Sequence, residues 1–122
     1  PAVRVSSVLR DLGPFRALLE QRLAAAMPRL LAGLGMAPFR IREGVELELA
    51  AHGHGAFYKP HIDMRRGETG DRVVSAVYYL HSRPKAFAGG ELRLFPNNLL
   101  PGEDGPVAIP PLHDSLLVFN AY

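Results

Sequence analysis

The chain has 122 residues, of which 48% are hydrophobic and 21% are charged, values that are typical of one soluble globular domain. Its formal net charge is only +2 and its basic residues are scattered, which argues against a nucleic-acid partner. The absence of cysteine excludes disulfides and thiolate chemistry and fits a cytoplasmic location, and no apolar run approaches a membrane span. Because the chain begins at Pro1 rather than at a methionine, we expect the natural N-terminus to lie upstream.

The first third of the chain is predicted to be helical. Apolar residues recur at three- and four-residue steps through residues 12–34. Pro14 suits the first helical position, and Gly33 suits a helix end. Pro28 is expected to kink the helix or to divide it in two. We therefore predict a helical support within residues 1–37 that packs an amphipathic face on an apolar surface.

Residues 38–122 are predicted to form the β-rich core of a sandwich or jelly roll. Apolar residues alternate with other residues, β-branched and aromatic residues are frequent, and glycine and proline mark turns. Short strands at regular spacing are typical of a sandwich or jelly roll, and the fold class is mainly β with an N-terminal helix (α+β). The predicted strands are Val45–Ala51, Phe57–Ile62, Val73–Leu80, Glu91–Phe95, Val107–Ile109 and Ser115–Phe119.

Two residues with metal-binding chemistry follow each other closely near the second of these strands. His61 and Asp63 are two positions apart, so on an extended strand their side chains project from the same face. An imidazole and a carboxylate make up two thirds of the 2-His-1-carboxylate triad that holds Fe(II) in oxygenases. The alternative is a surface histidine beside a solvated loop carboxylate, because His-x-Asp is common by chance. The sequence offers no evident third ligand.

The other histidines are less suited to a metal. His52 and His54 would need a glutamate a few residues later to form a cupin site, and the next glutamate is the distant Glu68. We therefore interpret His52 and His54 as a polar turn near the mouth of the site. His81 and His113 lie in turn-like contexts and are predicted to be exposed rather than to be ligands.

Four segments of the chain resemble a known family. The segments Tyr58–Asp63, Arg72–Leu80, Gly89–Pro96 and Ser115–Phe119 occur in an order and spacing that chance rarely gives. They resemble the 2-oxoglutarate/Fe(II)-dependent dioxygenases of the prolyl 4-hydroxylase type, and the resemblance covers Val45–Tyr122, roughly two thirds of the chain. It implies a double-stranded β-helix, which is a jelly roll, supported by N-terminal helices.

The resemblance also implies roles for individual residues. His61 and Asp63 match the first two iron ligands of the family. Tyr79 matches a tyrosine that donates a hydrogen bond to the distal carboxylate of 2-oxoglutarate, and Leu92 matches an apolar residue of the co-substrate pocket. Strand parity agrees, because alternate residues from Val73 to Tyr79 share one face. The alternative for Tyr79 is a core tyrosine whose hydroxyl is satisfied internally.

Two further residues match the substrate side of the family's site, and two expected residues have no match. Tyr58 and Arg72 match residues near the substrate entrance, although Arg72 is also explained as an ordinary charge at a strand end. The family's distal histidine and its 2-oxoglutarate-binding basic residue follow the strand equivalent to Ser115–Phe119. The sequence ends at Tyr122 before either residue. We therefore expect one oxygenase domain that is truncated before its last two strands.

The function implied by the resemblance is that of a non-haem Fe(II) and 2-oxoglutarate-dependent dioxygenase. Such an enzyme hydroxylates a C–H bond, here expected in a prolyl or other amino-acid residue of a peptide, protein or amino-acid substrate. It consumes O₂ and releases succinate and CO₂, and ascorbate is a further candidate cofactor. No nucleic-acid or membrane partner is expected. The alternative is a catalytically inactive jelly-roll binding module that retains a relic of the metal site.

Overall fold

The computed structural model describes residues 2–40, 45–61, 63, 73–95 and 105–121. The described residues form one helix and eight short strands, so the predicted class, mainly β with an N-terminal helix, is confirmed. The chain divides into two compact units, Pro1–Ser75 with Phe119–Tyr122, and Ala76–Val118. The elements are β1 (Arg4–Val5), β2 (Ser7–Leu9), α1 (Phe15–Gly33), β3 (Leu49–Ala51), β4 (Phe57–Tyr58), β5 (Val74–Tyr79), β6 (Leu92–Leu94), β7 (Val107–Ile109) and β8 (Ser115–Asn120).

Helix α1 begins and ends where the sequence predicts. Pro14 precedes it with helical dihedral angles (φ −66°, ψ −16°), and Gly35 follows it with φ +69°, a conformation that glycine adopts without strain. The helix continues through Pro28, so of the two expected outcomes, a kink or a division, the division is wrong. A proline removes one backbone donor, and the hydrogen bonds of the turns on either side suffice to keep the helix continuous.

The apolar face of α1 is covered unevenly. Leu31 is only 2% exposed, whereas Phe15 is 66% exposed and Leu18 is 45% exposed. The described part of the helix therefore packs mainly through its last turns rather than along the whole predicted stripe. Helix α1, the one helix among the described residues, is not long and apolar enough to cross a bilayer.

Two strand pairs of the first unit bring the start of the chain beside its middle. Strand β1 pairs antiparallel with β4, with Arg4 opposite Tyr58, and β2 pairs antiparallel with β3. The sequence did not predict β1 or β2, because strands of two or three residues carry no readable periodicity. Strand β3 begins only at Leu49 and β4 ends already at Tyr58, so both are shorter than the predicted strands Val45–Ala51 and Phe57–Ile62.

The remaining strands follow the predicted pattern closely. Strand β5 pairs with β8, and β6 pairs antiparallel with β7, with Leu92 opposite Ile109. The exposure of side chains alternates along the end of β5: Val77 and Tyr79 are half-buried, whereas Tyr78 is exposed. The predictions for these four strands are confirmed to within one residue at each end.

Candidate functional site

His61 and Asp63 lie just beyond strand β4 rather than on it. The backbone N–H of Lys59 donates to the carbonyl of Val3 at 2.8 Å, and Pro60, which has no N–H, then ends the ladder. The chain bends at Asp63, so the predicted extended strand through both residues is wrong. The two side chains nevertheless meet, because Nε2 of His61 lies 2.9 Å from Oδ1 of Asp63.

The contacts of His61 define which ring nitrogen faces the carboxylate. Its Nδ1 lies 2.7 Å from the backbone carbonyl oxygen of Lys59. A carbonyl only accepts hydrogen bonds, so Nδ1 carries a hydrogen and Nε2 is the nitrogen that faces Asp63. A histidine that binds a metal usually holds its other ring nitrogen in this way. The side chains of His61 and Asp63 are 34% and 29% exposed, so the pair is reachable from solvent.

The carboxylate of Asp63 is oriented from its other side. The hydroxyl of Ser75, on strand β5, donates a hydrogen bond to Oδ2, the oxygen that does not face His61. Asp63 therefore presents Oδ1 in a direction set by a neighbouring strand rather than by the loop alone. The sequence did not single out Ser75 for this role, and the available signal was its place on the same face of β5 as Tyr79.

The donor set of this pair fits a divalent metal ion. Two ligand atoms that each lie about 2.1 Å from a metal, at a right angle to one another, are about 3.0 Å apart. The observed separation of 2.9 Å between Nε2 and Oδ1 agrees with that geometry. The same distance suits a hydrogen bond from a protonated Nε2 to the carboxylate, so a proton or a metal ion can lie between these two atoms. Within the described ranges, no group of three histidine or carboxylate side chains is gathered at one point.

Tyr58 lies directly against the imidazole. The rings of Tyr58 and His61 are stacked, with centroids 3.7 Å apart and planes inclined by 16°. The guanidinium carbon of Arg4 lies 4.9 Å from the centroid of the Tyr58 ring, and Nη2 of Arg4 lies 2.9 Å from Oε1 of Glu48. Sequence reasoning did not single out Arg4. The other predicted substrate-side residue, Arg72, lies outside the described residues.

Tyr79 and Leu92 belong to the second unit. Tyr79 is the last residue of β5 and is half-buried, and burial raises the pKa of its hydroxyl above the ordinary value of 10.0. The hydroxyl is therefore a protonated hydrogen-bond donor at neutral pH. Leu92, the first residue of β6, is also half-buried and pairs with Ile109. Both residues have the partial burial that a pocket-lining role requires.

The other histidines divide into two groups. His52 and His54 are exposed around a turn at Gly55, as predicted for a polar turn. His81 and His113 were predicted to be exposed, and this prediction is wrong because both are half-buried. The backbone N–H of His81 donates to Nδ1 of His113 at 3.0 Å, and their rings lie 5.1 Å apart. The pairing of β5 with β8 explains this contact, because one histidine follows β5 and the other precedes β8.

Comparisons with known proteins identify the family. Residues 47–122 match the family model of the 2OG-Fe(II) oxygenase superfamily. An uncharacterized PKHD-type hydroxylase of Synechocystis sp. is 38% identical over 109 residues, which cover 86% of this chain and 36% of that protein. The chain thus spans about a third of the length of this relative. No solved structure matches the chain significantly.

These matches confirm the resemblance to the prolyl 4-hydroxylase type of oxygenase that the motifs indicate. The family implies Fe(II) and 2-oxoglutarate as cofactor and co-substrate, together with O₂. The matched region contains His61, Asp63, Tyr79 and Leu92. The chain belongs to the 2OG-Fe(II) oxygenase superfamily.

Proposed function

We propose that the protein is an Fe(II)- and 2-oxoglutarate-dependent dioxygenase that hydroxylates a C–H bond and releases succinate and CO₂. The observation that carries this proposal is the pair formed by Nε2 of His61 and Oδ1 of Asp63, 2.9 Å apart. Family membership supports the reaction type, and the name of the Synechocystis relative, a PKHD-type hydroxylase, supports hydroxylation. The fold proposed for the domain, residues 1–122, is a double-stranded β-helix.

In this proposal, His61 and Asp63 hold Fe(II). When bound, the metal supplies the activation of O₂ that is coupled to oxidative decarboxylation of 2-oxoglutarate. The protein's own contribution is to fix the direction of the two ligand atoms. The carbonyl of Lys59 holds Nδ1, which turns Nε2 toward the metal position, and the hydroxyl of Ser75 fixes the rotation of the carboxylate. These outer contacts are of the kind that tune ligand basicity and metal affinity.

Tyr79 and Leu92 are proposed to recognise 2-oxoglutarate. The hydroxyl of Tyr79 stays protonated because burial raises its pKa, so it donates a hydrogen bond to the distal carboxylate. A half-buried donor favours a dicarboxylate over an apolar acid, since an apolar acid would leave the hydroxyl unpaired. The side chain of Leu92 supplies an apolar wall that excludes water from the carbon chain of the co-substrate.

The substrate side is proposed to include Tyr58 and Arg72. Tyr58 is 47% exposed and its ring stacks on that of His61, which places an aromatic contact next to the metal pair. The proposed substrate is a prolyl or other amino-acid residue in a peptide, a protein or a free amino acid. Ascorbate is proposed as the reductant that keeps the iron in its Fe(II) state.

An anaerobic titration of the full-length protein with Fe(II) and 2-oxoglutarate tests the proposal. We expect a visible charge-transfer band, and succinate formation once O₂ is admitted. The His61→Ala variant should give neither signal, and His52→Ala, which alters an exposed turn histidine, should give both. A parent protein that is folded but gives no band and no succinate would instead be the catalytically inactive jelly-roll binding module.

A further inference from the structure

We propose that Arg4 and Tyr58 are positioning residues for His61. In this inference, the ring of Tyr58 fixes the rotation of the imidazole, and Arg4 in turn fixes the ring of Tyr58. The inference rests on the proposed function in one respect only, namely that Nε2 of His61 binds a metal ion. Its structural content, a supported orientation of the imidazole, is testable without any metal.

The stack restricts the rotation of the imidazole. The two rings are 3.7 Å apart and only 16° from parallel, so their faces are in van der Waals contact. If the imidazole turned about its Cβ–Cγ bond, its edge would be driven into the plane of Tyr58. A half-turn would keep the rings parallel but would move Nδ1 away from the carbonyl of Lys59 and Nε2 away from Asp63. The stack and the Nδ1–H hydrogen bond together leave one orientation, in which Nε2 faces the carboxylate.

Arg4 supports the stack because of the register between β1 and β4. Arg4 and Tyr58 are directly opposite in this antiparallel pair, so their side chains project from the same face of the sheet. The guanidinium carbon lies 4.9 Å from the centroid of the Tyr58 ring, within the range of a cation–π interaction.

The guanidinium of Arg4 is itself held in place. Its Nε donates to Oγ of Ser6 at 2.7 Å, and its Nη2 donates to Oε1 of Glu48 at 2.9 Å. Both partners belong to the same unit as Tyr58 and His61. Ser6 and Glu48 therefore hold Arg4, Arg4 contacts the ring of Tyr58, and Tyr58 stacks on His61. This gives residues near the start of the chain a defined effect on the candidate metal site.

The orientation of the imidazole is tested first, by NMR of the metal-free full-length protein. Long-range ¹H–¹⁵N spectra should show His61 with hydrogen on Nδ1 and its carbon-bound ring protons shifted upfield by the Tyr58 ring. In Tyr58→Leu this upfield shift should disappear, and in Tyr58→Phe it should remain. Tyr78→Leu is the matched control, because Tyr78 is also a strand tyrosine with 47% exposure and belongs to the other unit. Unchanged His61 resonances in Tyr58→Leu would overturn the inference.

Metal affinity provides the second readout, measured with Mn(II) on the full-length protein. Tyr58→Leu should weaken binding about 10-fold, as the loss of an outer-sphere partner typically does, and Tyr58→Phe should restore it. Arg4→Gln should weaken binding about 2- to 5-fold, which is the loss expected for an exposed cation–π contact. Arg10→Gln is its matched control, because Arg10 also pairs with Glu48, at 3.7 Å, but makes no described contact with Tyr58.

The two proposals fail in different ways. If His61→Ala leaves Mn(II) affinity unchanged, the proposed metal site is wrong, and the NMR result still decides the positioning role. If His61→Ala abolishes binding while Tyr58→Leu and Arg4→Gln bind as the parent does, the positioning inference is wrong. Thermal unfolding midpoints are measured for every variant. If Tyr58→Leu does not fold, Arg4→Gln, which alters a strand-edge side chain, carries the test through the same two readouts.

Discussion

His61 and Asp63 follow a strand of two residues, whereas Tyr79 ends a strand of six. Beyond β4 the ladder stops, so the direction of the imidazole and the carboxylate depends on side-chain contacts with Tyr58 and Ser75 and on one carbonyl. Tyr79 is held by its backbone, whose carbonyl accepts a hydrogen bond from the N–H of Asp114 at 2.8 Å. Substitutions of neighbouring side chains should therefore disturb the orientation of His61 and Asp63. The position of Tyr79 should change little unless Tyr79 itself is substituted.

The largest expected effect comes from a substitution that removes one metal ligand and keeps the contacts around it. Asp63→Asn keeps an oxygen that accepts from Ser75 but removes the negative charge, so Fe(II) affinity should fall by at least about 100-fold, beyond the range typical of outer-sphere changes. Isothermal titration under anaerobic conditions measures it. Asp114→Asn is the control, because it makes the same exchange in the other unit, where Asp114 accepts from the hydroxyl of Tyr78. Equal affinities in the two variants would contradict Asp63 as a ligand.

The second effect removes only the hydroxyl of Tyr79. Losing a hydrogen bond to a charged group costs about 1.5–3 kcal/mol, so Tyr79→Phe should raise the KM for 2-oxoglutarate about 10- to 100-fold. The affinity for iron in the absence of 2-oxoglutarate should stay unchanged. This result would distinguish Tyr79→Phe from substitutions of His61 or Asp63, which should lower that affinity. Tyr78→Phe, on the opposite face of β5, should leave the KM unaffected. A loss of iron affinity in Tyr79→Phe would contradict the expectation that Tyr79 acts on 2-oxoglutarate and not on the metal pair.

A smaller effect tests the dependence of Asp63 on its neighbour. Ser75→Ala removes the donor to Oδ2 and should weaken Fe(II) binding about 10-fold. Ser75→Thr keeps a hydroxyl at a strand position that suits threonine and should recover most of the affinity. Competition with a fluorescent metal indicator measures both variants. Identical losses in the alanine and threonine variants would point to packing rather than to hydrogen bonding.

The smallest effect concerns pH. Burial raises the pKa of Tyr79 above 10.0, so the folded protein favours the neutral hydroxyl. The stability that this hydroxyl contributes is fully present below its ordinary pKa and is lost as the pH rises through the raised value. The difference between the phenolate absorbance titrations of the parent and Tyr79→Phe should therefore have its midpoint above 10.0. A midpoint at or below that value would contradict the burial of this side chain.

The sequence predicted those parts of the fold whose signal is local. Strand β5 is rich in β-branched and aromatic residues, and helix α1 has both periodicity and glycines at its end, so each was found. Strands β1 and β2 exist only because β4 and β3 lie beside them, and no window of sequence around Arg4 contains those partners. Strand β4 differs, because its end has a local cause: Pro60 has no N–H and ends the ladder.

The candidate site shows the same division. The spacing of His61 and Asp63, together with the family resemblance, was enough to nominate the pair. The expected reason for their meeting, a shared strand face, was wrong, because the chain leaves the strand before Pro60 and bends at Asp63. The contacts of Ser75 and Arg4 arise from tertiary placement, which periodicity does not encode.

The pairing of β1 with β4 has a consequence for chimeric proteins built from relatives. Residues 3–5 lie beside residues 57–59, which lead into the His61 segment, so these two stretches of sequence form one inherited patch despite their distance along the chain. A crossover point placed between them would join an N-terminal strand from one parent to a histidine segment from another. Such a hybrid would combine an arginine and a tyrosine that had not been selected together, and libraries that exchange both stretches jointly should retain more functional members.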